Sequence, residues 1–154
     1  MFKKKIIFLL LLLLPSCGYE TIHSKKNSTN YNFSISELSF VGDRTINLKI
    51  KEKLSNYIKG KNDKDFILKI SSNSEKVILA KNVAGDTTAF KNTILINVEV
   101  LMNNKLKNNF KILESFNYNN TSNKFNLKKY EEEIKNNLAE TATDKLIFKL
   151  SNIQ

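Results

Sequence analysis

Apolar and polar positions alternate, recur once at helical spacing, alternate again over a long middle stretch, and end in a second helical stripe. Tyr31, Phe33 and Ile35 alternate with polar residues, and Leu38 and Phe40 continue in a shifted phase. This predicts a half-buried strand with a bulge near Glu37. Gly42-Asp43 interrupts it, and Asp43 or Thr45 has the short polar side chain that caps a helix. Ile46, Ile50, Leu54 and Ile58 then recur every four residues, with Tyr57 beside them. They form one apolar stripe on a helix of about four turns, with Lys49, Lys51, Glu52, Lys53 and Lys59 on the polar side and Gly60 placed to end it.

Phe66, Leu68 and Ile70 restore the alternation, and Val77 and Leu79 resume it, as one long bent strand or two short ones. Ala84-Gly85-Asp86 is a turn. From Thr93 to Met102 the pattern is clearest: Ile94, Ile96, Val98, Val100 and Met102 point one way, Asn97 and Glu99 the other. Asn103-Asn104-Lys105 is hairpin chemistry, because Asn tolerates positive φ. Phe110, Ile112, Phe116 and Tyr118 line one face of the returning strand. After a polar loop, Leu127, Tyr130, Ile134, Leu138, Ala142, Leu146, Leu150 and Ile153 hold a stripe at three- or four-residue spacing. This is a helix of about seven turns opened by Asn123 or Asn126. Lys135 falls off the stripe, so its truncation to Ala is expected to cost less than ~0.5 kcal/mol. The resulting class is α+β, an antiparallel or mixed sheet of about four strands with two helices packed on one face.

The front of the chain alters this picture. Lys3-Lys4-Lys5 precedes the apolar run Ile6–Leu14, and Leu14-Pro15-Ser16-Cys17 follows. The run is too short for a membrane span, which needs roughly 20 apolar residues, and fits the apolar region of an export signal. Cys17, the chain's one cysteine, stands where a lipobox places the residue that is acylated and becomes the new N-terminus. Three segments follow: a lipoprotein signal peptide over 1–16, a lipidated N-terminus and tether over 17–30, and a single α+β domain over 31–154. Once Cys17 is acylated, no thiol remains for a disulfide or metal site, so packing alone is expected to hold the fold.

Charge adds less than its size suggests. The formal net charge is +10, three of it from the signal's lysines, and Arg44 is the only arginine. Nucleic-acid surfaces lean on arginine for bidentate contacts, and export removes nucleic acid as a partner. Anionic lipid or another acidic envelope component remains.

Little in the sequence carries catalytic chemistry. His23, the single histidine, lies in the tether. No serine has a base to activate it, and no glycine-rich phosphate loop is present. Glu131-Glu132-Glu133 fan around a helix start, where acids favour the dipole, and read as a solvated first turn. The chain is expected to be no enzyme and to hold no cofactor or metal. Lysines at element ends are the remaining candidates: Lys81 and Lys91 flank the Ala84-Gly85-Asp86 turn, and Lys124, Lys128 and Lys129 flank the start of the long helix. They would bind an anion where the turn and the helix start meet at one end of the sheet; ordinary solubilising lysines are the alternative.

Over nearly all of residues 17–154 the chain resembles the LptE family of lipopolysaccharide-assembly lipoproteins. The resemblance rests on Cys17-Gly18-Tyr19, the element order, Asp86-Thr87-Thr88-Ala89-Phe90 leading into the central strand, Glu114-Ser115-Phe116, and Asp144-Lys145-Leu146-Ile147-Phe148-Lys149-Leu150. Where the family often has Pro-Leu-Tyr after the cysteine, this chain has Glu20-Thr21-Ile22-His23. The resemblance implies an outer-membrane lipoprotein, lipid-anchored on the periplasmic side. It would plug and help assemble a β-barrel of the LptD type and assist lipopolysaccharide delivery to the cell surface. The alternative is a periplasmic lipoprotein that activates a cell-wall synthase or another envelope complex; the short tether favours the first, since it offers at most ~3.3–3.6 Å of reach per residue.

Overall fold

The computed structural model describes residues 32–58, 62 and 64–153. The signal segment, Cys17 and the tether lie outside the described residues. Among the described residues the chain runs β1 (Ser34–Gly42), α1 (Arg44–Leu54), a 3-10 turn (Ser55–Tyr57), β2 (Asp65–Lys81), β3 (Thr87–Met102), β4 (Lys105–Asn119) and α2 (Lys124–Ser151). The strands form one sheet in the order β1-β2-β3-β4. β1 pairs parallel with β2 across the α1 crossover, and the remaining pairs are antiparallel. The expected α+β fold with a mixed four-stranded sheet is what the chain adopts.

Side-chain alternation decides which face is covered. Phe66, Leu68 and Ile70 of β2, Ile94, Ile96, Val98 and Val100 of β3, and Ile112 and Tyr118 of β4 are all buried. They meet Ile46, Ile50 and Leu54 of α1 and the Leu127–Leu150 stripe of α2. The opposite face, with Lys69, Asn97, Glu99 and Lys111, carries no second layer among the described residues. Where α2 meets α1 it presents buried Ala139, Ala142 and Thr143, small enough for close approach, and the Thr143 hydroxyl donates to its own helix at Ala139 O, 2.6 Å away.

Local chemistry sets the boundaries. Asp43 caps α1: its carboxylate accepts from the backbone N–H of Thr45 and Ile46 at 3.0 and 3.2 Å. Asn123 caps α2 by accepting from Asn126 N–H at 3.0 Å. The bulge falls where the phase shift placed it, between Ile35 and Glu37. β2 is one continuous strand of 17 residues. Asn103 and Asn104 both take positive φ, 53° and 61°, the conformation of a tight hairpin whose twist matches its strands.

Four expectations are corrected. The α-helical part of the first helix stops at Leu54, short of Ile58, because Ser55 turns its N–H and hydroxyl onto Glu52 O and the chain tightens to 3-10. That brings Tyr57 face to face with Phe33, ring centres 4.8 Å apart; Ile58 is left exposed. Tyr130, assigned to the apolar stripe, is exposed along the β4 side of α2. Lys135 is not a free lysine: its ammonium pairs with the Asp43 carboxylate. Glu131 is not a solvated acid either, as the next subsection describes.

Candidate functional site

β1 pairs with β2 only as far as Gly42–Ser72, while β2 and β3 run on together to Lys81–Thr87. The sheet therefore narrows to three strands at this end and finishes in the Asn82–Asp86 turn. Asn82 and Asp86 close that turn on themselves: Asn82 N–H donates to Asp86 O at 2.9 Å, and Asp86 N–H donates to Asn82 Oδ1 at 2.8 Å. Gly85, at φ +89°, supplies the left-handed residue such a reversal needs. Val83 is left fully exposed at the tip.

The start of α2 comes to the same end. Asn120 donates its backbone N–H to Thr88 O at 2.8 Å and its side-chain amide to Thr87 O at 2.7 Å, so the loop entering α2 is fastened beside the turn. Lys81 closes β2 here, and Lys124, Lys128 and Lys129 occupy the first two turns of α2. Phe125, between them, is 79% exposed. Lys91 is placed differently. By register it shares the uncovered face of the sheet with Val77 and Asn117, away from the helix layer. The structure thus places Lys81, Lys124, Lys128 and Lys129 toward one end of the sheet, where Val83 and Phe125 are exposed, and sets Lys91 on the uncovered sheet face. Among the described residues none of these five lysines makes an ion pair.

Just inside this end lies a polar cluster that sequence reasoning missed. Tyr118 is buried, and its hydroxyl donates to Glu131 Oε1 at 2.9 Å. The same carboxylate pairs with the Lys76 ammonium, which stands 3.9 Å over the Phe90 ring. Tyr118 in turn packs against Phe90 and edge-on against Tyr130. Burial, the hydrogen bond to Glu131 and that carboxylate's negative charge all hold the phenol protonated far above its ordinary range. A signal existed: a tyrosine on the inward face of a strand needs a partner for its hydroxyl.

A second polar junction ties α1, β2 and α2 together. Burial pushes the Asp43 carboxyl upward, but hydrogen bonds from Lys135, the Ile46 N–H and Ser74, with the lysine's charge, outweigh it and hold it below the ordinary value. Ser72 donates to Asn47 Oδ1 at 2.7 Å beside it. Both junctions bind elements to one another.

On the uncovered face a broad depression of about 510 Å³ is lined by Ser39, Lys69, Ser71, Asn97, Glu99 and Lys111, among others. Asn97 donates to Ser71 Oγ at 3.2 Å, and its own carbonyl oxygen is enclosed without a hydrogen-bond partner among the described residues. Among the described residues no three His, Cys, Asp or Glu side chains converge as a metal site, and no helix is long and apolar enough to cross a membrane.

No protein-family model matches the sequence, and none of the curated proteins matches it either. Solved structures do match the fold. The crystal structure of rare lipoprotein B from Shewanella oneidensis is similar with a TM-score of 0.60 at 15% identity, over 75% of this chain and 93% of that one. A minor lipoprotein from Acinetobacter baumannii also gives 0.60, at 9% identity over 79% and 91%. The solution structure of lipoprotein B from Nitrosomonas europaea gives 0.56, at 14% identity over 77% and 83%. The described domain therefore shares its fold with bacterial lipoproteins.

Proposed function

We propose that the protein is an envelope lipoprotein of the LptE type, lipid-anchored through acylated Cys17 on the periplasmic side of the outer membrane. There it would plug and help assemble an LptD-type β-barrel and assist lipopolysaccharide delivery. One conjunction carries the reading: Leu14-Pro15-Ser16-Cys17 stands ahead of a domain whose fold is that of bacterial lipoproteins. Two acyl chains or more make anchoring stable, at ~0.8 kcal/mol per buried CH₂. Barrel lumens are polar, and a domain whose bare sheet face carries Lys69, Asn97, Glu99 and Lys111 suits such a space. The end bearing Lys81, Lys124, Lys128 and Lys129, where Val83 and Phe125 are exposed, suits a phosphorylated amphiphile, with cations for the head group and apolar tips for the chains.

Purification from detergent-solubilised envelopes tests the reading. A large β-barrel should come with the lipidated chain, and intact mass should show lipid on Cys17. An unmodified cysteine, or a cell-wall synthase in place of a barrel, would refute it. Lipopolysaccharide titration tests the end of the sheet separately. Reversing Lys128 and Lys129 to Glu should weaken binding more than reversing Lys105 and Lys107 at the other end of β3, and the difference should shrink with salt. Equal weakening would reduce the site to diffuse positive charge.

A further inference from the structure

The sheet's exposed edges are built differently. β1 is interrupted by the register shift between Ile35 and Glu37. β2, beyond the end of β1, is interrupted between Ile78 and Ala80 and again before Lys81. β4 has one irregularity near its start, after which Asn108–Asn119 pairs with β3 residue for residue. An edge strand offers a row of unpaired backbone N–H and C=O groups, and bulges or charges normally keep other strands from it. The lysines of β4 crowd its first half, at Lys105, Lys107 and Lys111. Over Ile112–Asn119 the one charged side chain is Glu114, already engaged by Lys145.

This regular segment also exposes apolar groups on both faces. Leu113 is 63% exposed on the uncovered face, and Phe116 is 46% exposed on the helix side. Beside Phe116, the side chains of Tyr130, Ile134 and Leu138 form a groove of about 140 Å³ with Glu133 and Asn137 at its rim. The groove adjoins the edge residue Phe116 on the helix side of the sheet, the side to which alternate residues of an added strand would point.

We infer that Ile112–Asn119 is a docking edge for an extended strand of a partner protein. The strand adds to the sheet through backbone hydrogen bonds, sets a large apolar side chain between Phe116, Tyr130, Ile134 and Leu138, and carries an acidic residue that reaches Lys111. The edge itself requires an extended backbone. The groove requires an apolar residue. Charge complementarity supplies the acid, since Lys111 makes no ion pair among the described residues. This inference stands apart from the lipid chemistry proposed above.

The full chain in detergent is titrated with a blocked ten-residue peptide that alternates Val with Thr or Glu and has Phe at its centre. Saturable binding with a Kd on the order of 10–100 μM is expected, with amide exchange slowed at alternate positions of Ile112–Asn119. Phe116→Ser and Tyr130→Ser should each weaken binding about tenfold and Lys111→Glu about threefold. Tyr130→Ser decides the matter if Phe116→Ser melts early. The same peptide N-methylated at alternate residues keeps its side chains and loses its strand pairing, so it should not bind. Equal binding by the N-methylated or a scrambled peptide, slowed exchange elsewhere, or no binding would overturn the inference. Sedimentation showing that the free chain pairs with itself through this edge would overturn it in favour of a second copy.

Discussion

The two faces of the sheet treat charge in opposite ways. On the covered side ion pairs link the elements: Lys53 pairs with Glu140 and Asp144, Lys76 with Glu131, Lys135 with Asp43, and Lys145 with Glu114. Each of these joins two different elements. On the uncovered side Lys69, Glu75, Lys91, Glu99 and Lys111 make no ion pair among the described residues, although Lys69 and Glu99 are direct cross-strand neighbours. A second layer supplies the difference. Helix side chains reach the strands, and partners such as Glu131, Asp43 and Glu114 are partly buried, where pairing is screened less. On a bare sheet face, long side chains extend into water, and holding them together would cost more entropy than an exposed pair returns. The covered side is therefore where substitutions should cost stability, and the bare side is where residues are free to serve contact with other molecules.

The largest effect should come where the chain leaves the sheet for the helix layer. Gly42 has φ +98°, and a Cβ there would lie 1.9 Å from the Ser72 carbonyl oxygen. Gly42→Ala should lower stability by about 3 kcal/mol or more in denaturant unfolding, from backbone strain and overlap together. Close behind comes Leu146, fully buried in α2. Leu146→Ala should cost ~2–5 kcal/mol, whereas Leu113→Ala on the bare face should cost under about 0.5 kcal/mol. Similar losses at both leucines would break the contrast between the faces.

Next is the Asp43 junction. Asp43→Asn keeps an acceptor for the helix cap but leaves Lys135 without its carboxylate, at a cost of about 1–3 kcal/mol. The pH dependence follows from the depressed carboxyl. Its folded value lies below the ordinary 3.8, so the stability it contributes is complete above that value. It is lost as pH falls through the lower folded value. Stability curves of the parent and Asp43→Asn should accordingly differ at neutral pH and converge in acid. Curves that stay parallel down to strongly acidic pH would show that Asp43 does not act through its charge.

How far the sequence reveals this contrast depends on the range of the interaction. Alternation in β1, β3 and β4 and the four-residue stripes are local patterns, and they identify the covered face, the Glu37 bulge, the Asn103-Asn104 hairpin and both helix caps. Lys135 and Glu131 illustrate what stays hidden. Their partners lie far along the chain, at Asp43, Tyr118 and Lys76, and helix spacing alone presents both as solvent-facing. Tyr130 errs in the other direction: its spacing fits the stripe, but among the described residues the sheet ends at β4 and no further strand covers it. Turn residues placed Lys81 beside the start of α2, because both lie at element ends, whereas the face occupied by Lys91 depended on phase through a turn whose length was ambiguous.

A smaller effect separates the buried phenol from its exposed neighbours. Tyr118→Phe keeps the ring between Phe90 and Tyr130 and removes one hydrogen bond to Glu131, which retains Lys76. A loss of about 1 kcal/mol is expected at neutral pH. The phenol's folded value is raised, so this contribution is present below the unfolded value near 10 and declines as pH rises toward the higher folded one. Thermal melts of Tyr118→Phe and parent at pH 7 and pH 10.5 distinguish this from a packing effect, which would not change with pH.

The smallest expected effect bears most directly on what the bare face is for. Lys69, Glu99 and Lys111 surround Asn97, whose amide is held by Ser71 while its carbonyl oxygen has no hydrogen-bond partner among the described residues. If these charges only kept the chain soluble, Lys69→Ala, Glu99→Ala and Lys111→Ala would each change stability by less than about 0.5 kcal/mol, and the triple variant would show their simple sum. That additivity is the expected result. On the covered side, by contrast, Lys76→Ala and Tyr118→Phe share Glu131 and should couple by at least about 0.5 kcal/mol in a double-mutant cycle. Coupling among the bare-face residues of the size seen around Glu131 would mean that this face holds a network of its own, and the division of labour between the two faces would have to be given up.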